Sequence, residues 1–216
     1  NYLGTDDFAS YAKEYLNKLK EYHTEDESYG YKSKLKIADA VWVDNNLTLQ
    51  EEFKNSVTNG FGAEVENVDF SAAEKTCGII NSWCDKNTEG LIPKIITPDL
   101  INDTTGLCLT NSLYFESGWS GEPWNVSDTE EKFGNNEKTK YMTCAGDRYY
   151  DNDKATAFDR EDANGLSFVG ILPVDEGDFT LEDLDIGGLL KSQPEYDEVQ
   201  CKMPKLDFET TAILND

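Results

Sequence analysis

The sequence predicts an α+β domain, and three features lead there. The first is the run at residues 104–119, TTGLCLTNSLYFESGW, the longest apolar-rich stretch in a very acidic chain. Leu107, Leu109, Asn111, Leu113 and Phe115 alternate onto one face, and Cys108, Thr110, Ser112 and Tyr114 onto the other. That is the period of a strand. Both faces carry residues an interior accepts, so the strand reads as central and covered above and below. The second feature is a helix at 71–87. Ser71-x-x-Glu74 has the form of a capping box, in which hydroxyl and carboxylate each satisfy a first-turn N–H. Ile79, Ile80, Trp83 and Cys84 follow as its apolar stripe. The third is composition: 216 residues, 38% hydrophobic and 12% aromatic, describe a soluble globular chain with a sizeable core.

The remaining elements follow in order. Residues 6–22 form an amphipathic helix through Phe8, Tyr11, Ala12, Tyr15, Leu16 and Leu19, with Thr5 or Asp6 as cap. A polar loop runs over 23–33. Residues 34–44 alternate as a strand, with Leu35, Ile37, Val41 and Val43 on one face and Ala38, Ala40 and Trp42 on the other. A short helix follows, with Leu49, Phe53 and Val57 inward, closed by Asn59-Gly60. Residues 63–70 are a further strand. A Pro-punctuated connection spans 91–103. Beyond Trp119 and Gly121-Glu122-Pro123 the chain is polar and reads as strand-poor to about 138. Residues 141–150 are a candidate strand, 166–173 a buried strand, and 179–192 one or two short helices. Residues 199–208 are a strand in which Pro204 signals an edge or a bend. No repeat, low-complexity tract or dividing linker stands out.

The formal net charge of −24 sets the chain against nucleic acid and anionic lipid as primary partners. The acidity reads as solubility in a demanding medium; a basic partner or cationic substrate is the other reading. No run approaches the roughly 20 apolar residues of a membrane helix. The chain as it stands shows no signal peptide, and its first residue is not Met. Five cysteines, at 77, 84, 108, 144 and 201, lack zinc-site spacing. Cys77 and Cys84 lie two helical turns apart, about 10 Å, too far for a disulfide. Cys108 and Cys201 fall in apolar strand patterns and read as buried, inert thiols. Sequons at Asn46, Asn102 and Asn125 are what an Asn-rich chain produces by chance.

Catalytic chemistry is not visible. The one histidine, His23, falls in the polar loop, away from any nucleophile. Gly165-Leu-Ser167-Phe-Val-Gly170 is one residue too long for a nucleophile elbow, and Ser167 sits inside a strand. Asp151-Asn152-Asp153 and Asp183-x-Asp185-x-Gly187 lack the Gly and Glu of a calcium loop. No metal and no cofactor is expected. Asn111 poses a separate question. A buried amide costs roughly a few kcal/mol unless partnered, so it has either a structural partner or a switching role.

Several segments, taken in order, carry a resemblance. Ile80-Asn81-Ser82-Trp83 followed by Thr88-x-Gly90-x-Ile92 is similar to the serpin I-N-x-W…T-x-G-x-I. Asn111-Ser112-Leu113-Tyr114-Phe115…Trp119 resembles N-A-I-Y-F-K-G-x-W. Trp124, Thr129 and Phe133 keep an F…T…F spacing, with Trp in place of the first Phe. Residues 166–173 resemble L-S-M-x-I-x-L-P, and Met203-Pro204-Lys205-Leu206-x-Phe208 the L-P-K-F strand. The departures are Ser112 for Ala, Glu116 and Ser117 for Lys-Gly, and Leu206 for Phe. The resemblance to the serpins, inhibitors of serine proteases, covers residues 35–214.

The resemblance implies the rest. The fold would be α+β: a large mixed main sheet covered by helices, plus additional antiparallel sheets. Residues 1–216 would form a single, partial domain, the middle of a serpin. The reactive loop and last strands would lie beyond Asp216, so the chain would not fold stably alone. The protein would be no enzyme but an inhibitor that traps a serine or cysteine protease. Cleavage of the loop would be followed by its insertion into the sheet beside residues 104–115. Asn111 would belong to the polar shutter that holds the sheet closed, with a histidine outside the chain as partner. Trp119 would stand at the breach where the sheet first opens, and the 71–87 helix would have to yield. The active state would be monomeric, with loop–sheet oligomers as a side route, and the protein would be extracellular. The alternative is a non-inhibitory serpin-fold carrier, chaperone or binding protein; an acidic enzyme of another type is a distant third.

Overall fold

Alternation at residues 34–44 produces strand β1 (Lys34–Asp44), and this strand is the centre of the first sheet. The computed structural model describes residues 8–21, 33–119, 121–133, 137–146, 148–162, 166–174, 184–192 and 199–212. By backbone proximity the chain divides into two compact units, Asn1–Ser117 and Gly118–Asp216.

In the first unit, β2 (Glu64–Val68) pairs parallel with one edge of β1, and β3 (Leu107–Glu116) pairs antiparallel with the other. The order β2-β1-β3 leaves β3 at the sheet edge, not at its centre as its apolar pattern suggests. Helix α1 (Phe8–Glu21) precedes β1. Tyr11 and Tyr15, expected on its buried stripe, are exposed and stack on each other at 6.3 Å. Helix α2 (Glu51–Asn55) runs on into a π-helical turn, Ser56–Phe61. The turn carries the chain past Asn59-Gly60, so the left-handed cap falls on Gly62, φ 71°. Leu49 and Val57 cover Val41, Val43 and Ala63 as expected, while Phe53 is exposed.

Helix α3 (Ala73–Asn87) covers the other face of β1. Trp42, Phe70, Ile80 and Cys84 are the buried centre of that contact, and Trp42 meets Trp83 edge-on at 6.1 Å. The capping box does not form. Ala72 occupies the cap position, and the Ser71 hydroxyl donates to Asp69 Oδ1 at 2.5 Å. Asp69, two residues earlier, competes for that hydroxyl with a full negative charge. Thr76 ties the first turn down instead, donating to the Asp69 carbonyl at 2.6 Å. A 3₁₀ turn, Pro98–Leu100, lies in the connection to β3.

In the second unit, β4 (Asn125–Phe133), β5 (Glu137–Gly146) and β9 (Val199–Pro204) form an antiparallel sheet in the order β4-β5-β9. The region read as strand-poor is therefore a hairpin strand. Its side chains are nearly all polar and exposed, so it carries no periodic apolar signal. Strands β6 (Arg148–Asp151), β7 (Ala155–Glu161) and β8 (Ser167–Pro173) form a second antiparallel sheet. The single strand expected at 141–150 is split between β5 and β6, and β7 was not expected. Strand β8 is only partly buried, and Leu172 is exposed. Pro204 stands on the edge strand β9, as its missing N–H requires. Of the helices expected at 179–192, one appears as α4 (Ile186–Leu189), and residues 179–183 lie outside the described residues. No helix of the described residues is long and apolar enough to cross a membrane. All five cysteines are thiols; Cys201 is buried as expected, whereas Cys108 is half-buried.

Candidate functional site

The sheet of the first unit presents two unlike faces around β3. Toward α3 point Trp42, Ala40 and Ala38 of β1 and Cys108, Thr110 and Ser112 of β3. The Trp42 indole donates to Thr110 Oγ1 at 3.0 Å, which satisfies a polar atom of a side chain that is 1% exposed. The other face carries Leu109, Leu113 and Phe115, exposed by 65%, 59% and 49%.

Asn111 lies on that open face. It is exposed, which corrects the expectation of a buried amide, because nothing among the described residues covers this half of β3. Its Nδ2 donates to Oδ1 of Asp39, its direct cross-strand neighbour, at 2.9 Å. The amide thus has a partner within the chain that the sequence reading did not name. The outer edge of β3 pairs with no strand among the described residues.

The motif residues of α3 have identifiable work. Asn81 clamps the returning connection: it accepts from the Ile95 and Ile96 N–H groups at 2.9 and 3.1 Å and donates to the Ile96 carbonyl at 2.9 Å. Thr88, 2% exposed, donates to the Cys84 carbonyl at 2.9 Å and accepts from Ile92 N–H at 3.0 Å. Glu89 takes φ 53° and Gly90 φ 82°, which turns the chain off the helix end. Glu89 pairs with Lys34 at 2.8 Å and with Lys36, both on β1. The hydrogen bonds from these lysines pull its carboxyl down to about 2. The C-terminal end of α3 is thereby tied to the central strand. Burial pushes the Cys77 and Cys84 thiols on the same helix up, which suits inert thiols.

Trp119 belongs to the second unit. It bridges to Asp162 and meets Trp124 and Phe168 edge-on, each at 5.8 Å. The Arg160 guanidinium, 3% exposed, lies against both indoles, 5.8 Å from Trp119 and 5.4 Å from Trp124. It also donates to the Ala145 carbonyl at 3.1 Å and to the Glu122 carbonyl. On the opposite face of β7, buried Asp159 accepts from Tyr150 at 2.9 Å and from Arg148 at 2.8 Å. Burial, then the hydrogen bond to Asp159, pushes the Tyr150 hydroxyl up; the same carboxylate raises Arg148. Sequence reading missed both groups because Asp and Arg are almost never fully buried unless paired, and their partners lie elsewhere in the chain. The alternation of Ala155, Ala157 and Asp159 was the available signal.

No other site assembles among the described residues. No group of three or more His, Cys, Asp or Glu side chains among the described residues is placed to hold a metal ion. Asn152 builds the β6–β7 turn by accepting from the Lys154 and Ala155 N–H groups, both at 2.9 Å. Ser167 is an exposed strand residue, while His23, Gly165 and Asp183 lie outside the described residues.

A covered sheet with an open-edged strand, a helix clamped across it, and two further antiparallel sheets define a serpin architecture. The family model for Serpin (serine protease inhibitor) matches residues 2–216, and the chain belongs to that family. Serpin-ZX of Hordeum vulgare is 31% identical over 178 residues, 77% of this chain and 44% of that protein. Alaserpin of Manduca sexta is 28% identical over 195 residues, 84% of this chain and 50% of the relative. The chain thus spans about half the length of the curated relatives it matches. Ovalbumin from emu (Dromaius novaehollandiae) superimposes with a TM-score of 0.76 at 18% identity, over 93% of this chain and 54% of that one. The native thermophilic serpin tengpin gives 0.73 at 24%, over 93% and 51%; at these identities the likeness speaks to fold.

Proposed function

We propose that this chain supplies the central sheet of a serpin that traps a serine or cysteine protease by loop insertion. The observation that carries the reading is the outer edge of β3, whose backbone groups pair with no strand among the described residues. An extended segment laid along that edge would gain a ladder of main-chain hydrogen bonds, and serpin loop insertion is itself an established case of such strand addition. On its inner side β3 is held by the β1 ladder and by the Trp42–Thr110 and Asn111–Asp39 bonds, while its outer edge is left to receive a strand. On this reading the reactive loop comes from outside residues 1–216, and Asn111 and Trp119 act in the conformational change, not in chemistry.

The test mixes the complete protein with a panel of serine and cysteine proteases. An SDS-resistant complex of summed mass is expected. Clean cleavage with every protease left fully active would sink the proposal and favour a non-inhibitory serpin-fold binding protein. For the switch role, Asn111→Ala is expected to speed polymerisation on heating; unchanged insertion kinetics and thermal stability would refute it.

A further inference from the structure

The strand pairing of β5 with β9 sets two cysteines directly opposite each other, Cys144 against Cys201. Neighbours across an antiparallel pair share a face, so both thiols lie on one side of the sheet. Lys205 N–H donates to the Lys140 carbonyl at 2.8 Å, which fixes the phase of the ladder. Counting in twos from that pair, Cys144 and Cys201 occupy a hydrogen-bonded pair, where Cα atoms stand about 5.5 Å apart. Disulfides span Cα separations of roughly 4.4–6.8 Å, so backbone spacing admits a bond. A second observation places the sulfur itself. A Cβ added at Gly146 would come within 2.5 Å of Cys201 Sγ. The Cys201 sulfur therefore already overlies β5, in the notch that Gly146 leaves one position along the same face from Cys144. Access is graded: Cys201 is buried and Cys144 half-buried.

We propose that Cys144 and Cys201 form a reversible cross-strand disulfide, a redox modification site that clamps the edge strand β9 to β5. The oxidant is a small disulfide such as glutathione disulfide. The more accessible Cys144, as thiolate, attacks one of its sulfurs and releases one thiolate. Cys201 then attacks the Cys144 sulfur of the mixed disulfide, and the second glutathione leaves. The protein gives up two protons and two electrons, and the small disulfide becomes two thiols. A bond across a hydrogen-bonded pair forms only if both side chains turn toward each other, the situation of a labile and regulatory disulfide. Among the described residues no other two cysteines stand opposite each other in a strand ladder: Cys108 faces Trp42, and Cys77 and Cys84 lie two helical turns apart on α3. The inference goes beyond protease inhibition and is independent of it: a protein that inhibits nothing would still form this bond.

The complete protein is equilibrated in glutathione buffers from reducing to oxidising, alkylated, digested and mapped by mass spectrometry. The expected result is loss of two alkylatable thiols, one linked peptide joining Cys144 to Cys201, and a rise in the unfolding midpoint, all reversed by dithiothreitol. Cys144→Ser, at the half-buried position, is expected to fold and to abolish both the linked peptide and the rise. Both thiols remaining alkylatable in oxidising buffer would overturn the proposal. So would a bond from either sulfur to Cys77, Cys84 or Cys108, a glutathione adduct that stays on Cys144, or a midpoint rise that persists in Cys144→Ser.

Discussion

Both faces of the β1–β3 pair carry apolar residues, and along β3 the two are opposite in circumstance. On one, Trp42, Ala40 and Cys108 are packed against α3. On the other, Leu109, Leu113 and Phe115 stand open beside Asn111. Alternation reports which residues share a face and says nothing of what covers it. On the covered face the polar atoms are mostly committed: the Trp42 indole to Thr110, Asn81 to the returning chain, Glu89 to two lysines.

Mutations on the two faces should therefore separate. Trp42→Ala removes the largest fully buried side chain and is expected to cost about 3–5 kcal/mol in denaturant unfolding. A loss below about 1 kcal/mol would mean that the covered face is not a real core. Asn81→Ala drops three hydrogen bonds that hold the connection to α3, with an expected cost of about 2–3 kcal/mol and faster proteolysis near residue 95. Ser112→Ala should go the other way. Its hydroxyl is buried on the covered face with no hydrogen-bond partner among the described residues, so removal is expected to gain about 1 kcal/mol. Leu113→Ala, on the open face, is expected to change stability by less than about 0.5 kcal/mol. A cost several times larger in the complete protein would show that another segment covers this face there.

The smallest effect is electrostatic. Glu89 sits below its ordinary value of 4.5, at about 2, because Lys34 and Lys36 favour the carboxylate. Its contribution is fully present above pH 4.5 and is lost as pH falls toward about 2. Glu89→Gln should narrow the difference between neutral and acid stability within that window. An acid titration superimposable on wild type would remove this tether from the account, and salt should weaken it.

The fold was legible where an element carries its own apolar residues. Helix α3 shows a stripe at helical spacing because one face packs on β1, β1 is apolar on both faces at Ala40–Val43 because both are buried, and the expected bounds lie close to the observed ones. It was illegible where partners come from elsewhere. Strand β4 has no covered face, so it read as loop; β7 buries Asp159 and Arg160 because Arg148, Tyr150, Trp119 and Trp124 receive them, and no local pattern announces such partners. The resemblance singled out Asn111 and Trp119, and single-chain reasoning misjudged the burial of the first. Its amide was read as buried because its neighbours are leucines, and those leucines are exposed with it. The capping box failed for a different reason: Ser71 had a charged competitor two residues away.

The pairings of β1 also order the folding of the sheet in time. Its partner β2 follows after one short helix, so that pairing closes a short loop, Ala40 against Glu64. Its partner β3 arrives only after all of α3 and the connection beyond it, Lys34 against Glu116. Loop-closure entropy favours the nearer contact, and synthesis from the N-terminus presents it first. The β1–β2–α3 cluster can therefore assemble on a nascent chain while β3 is still being made. The strand whose far edge stays open is the last of the three to join, and a chain arrested before that step would expose the unpaired edge of β1 to its neighbours.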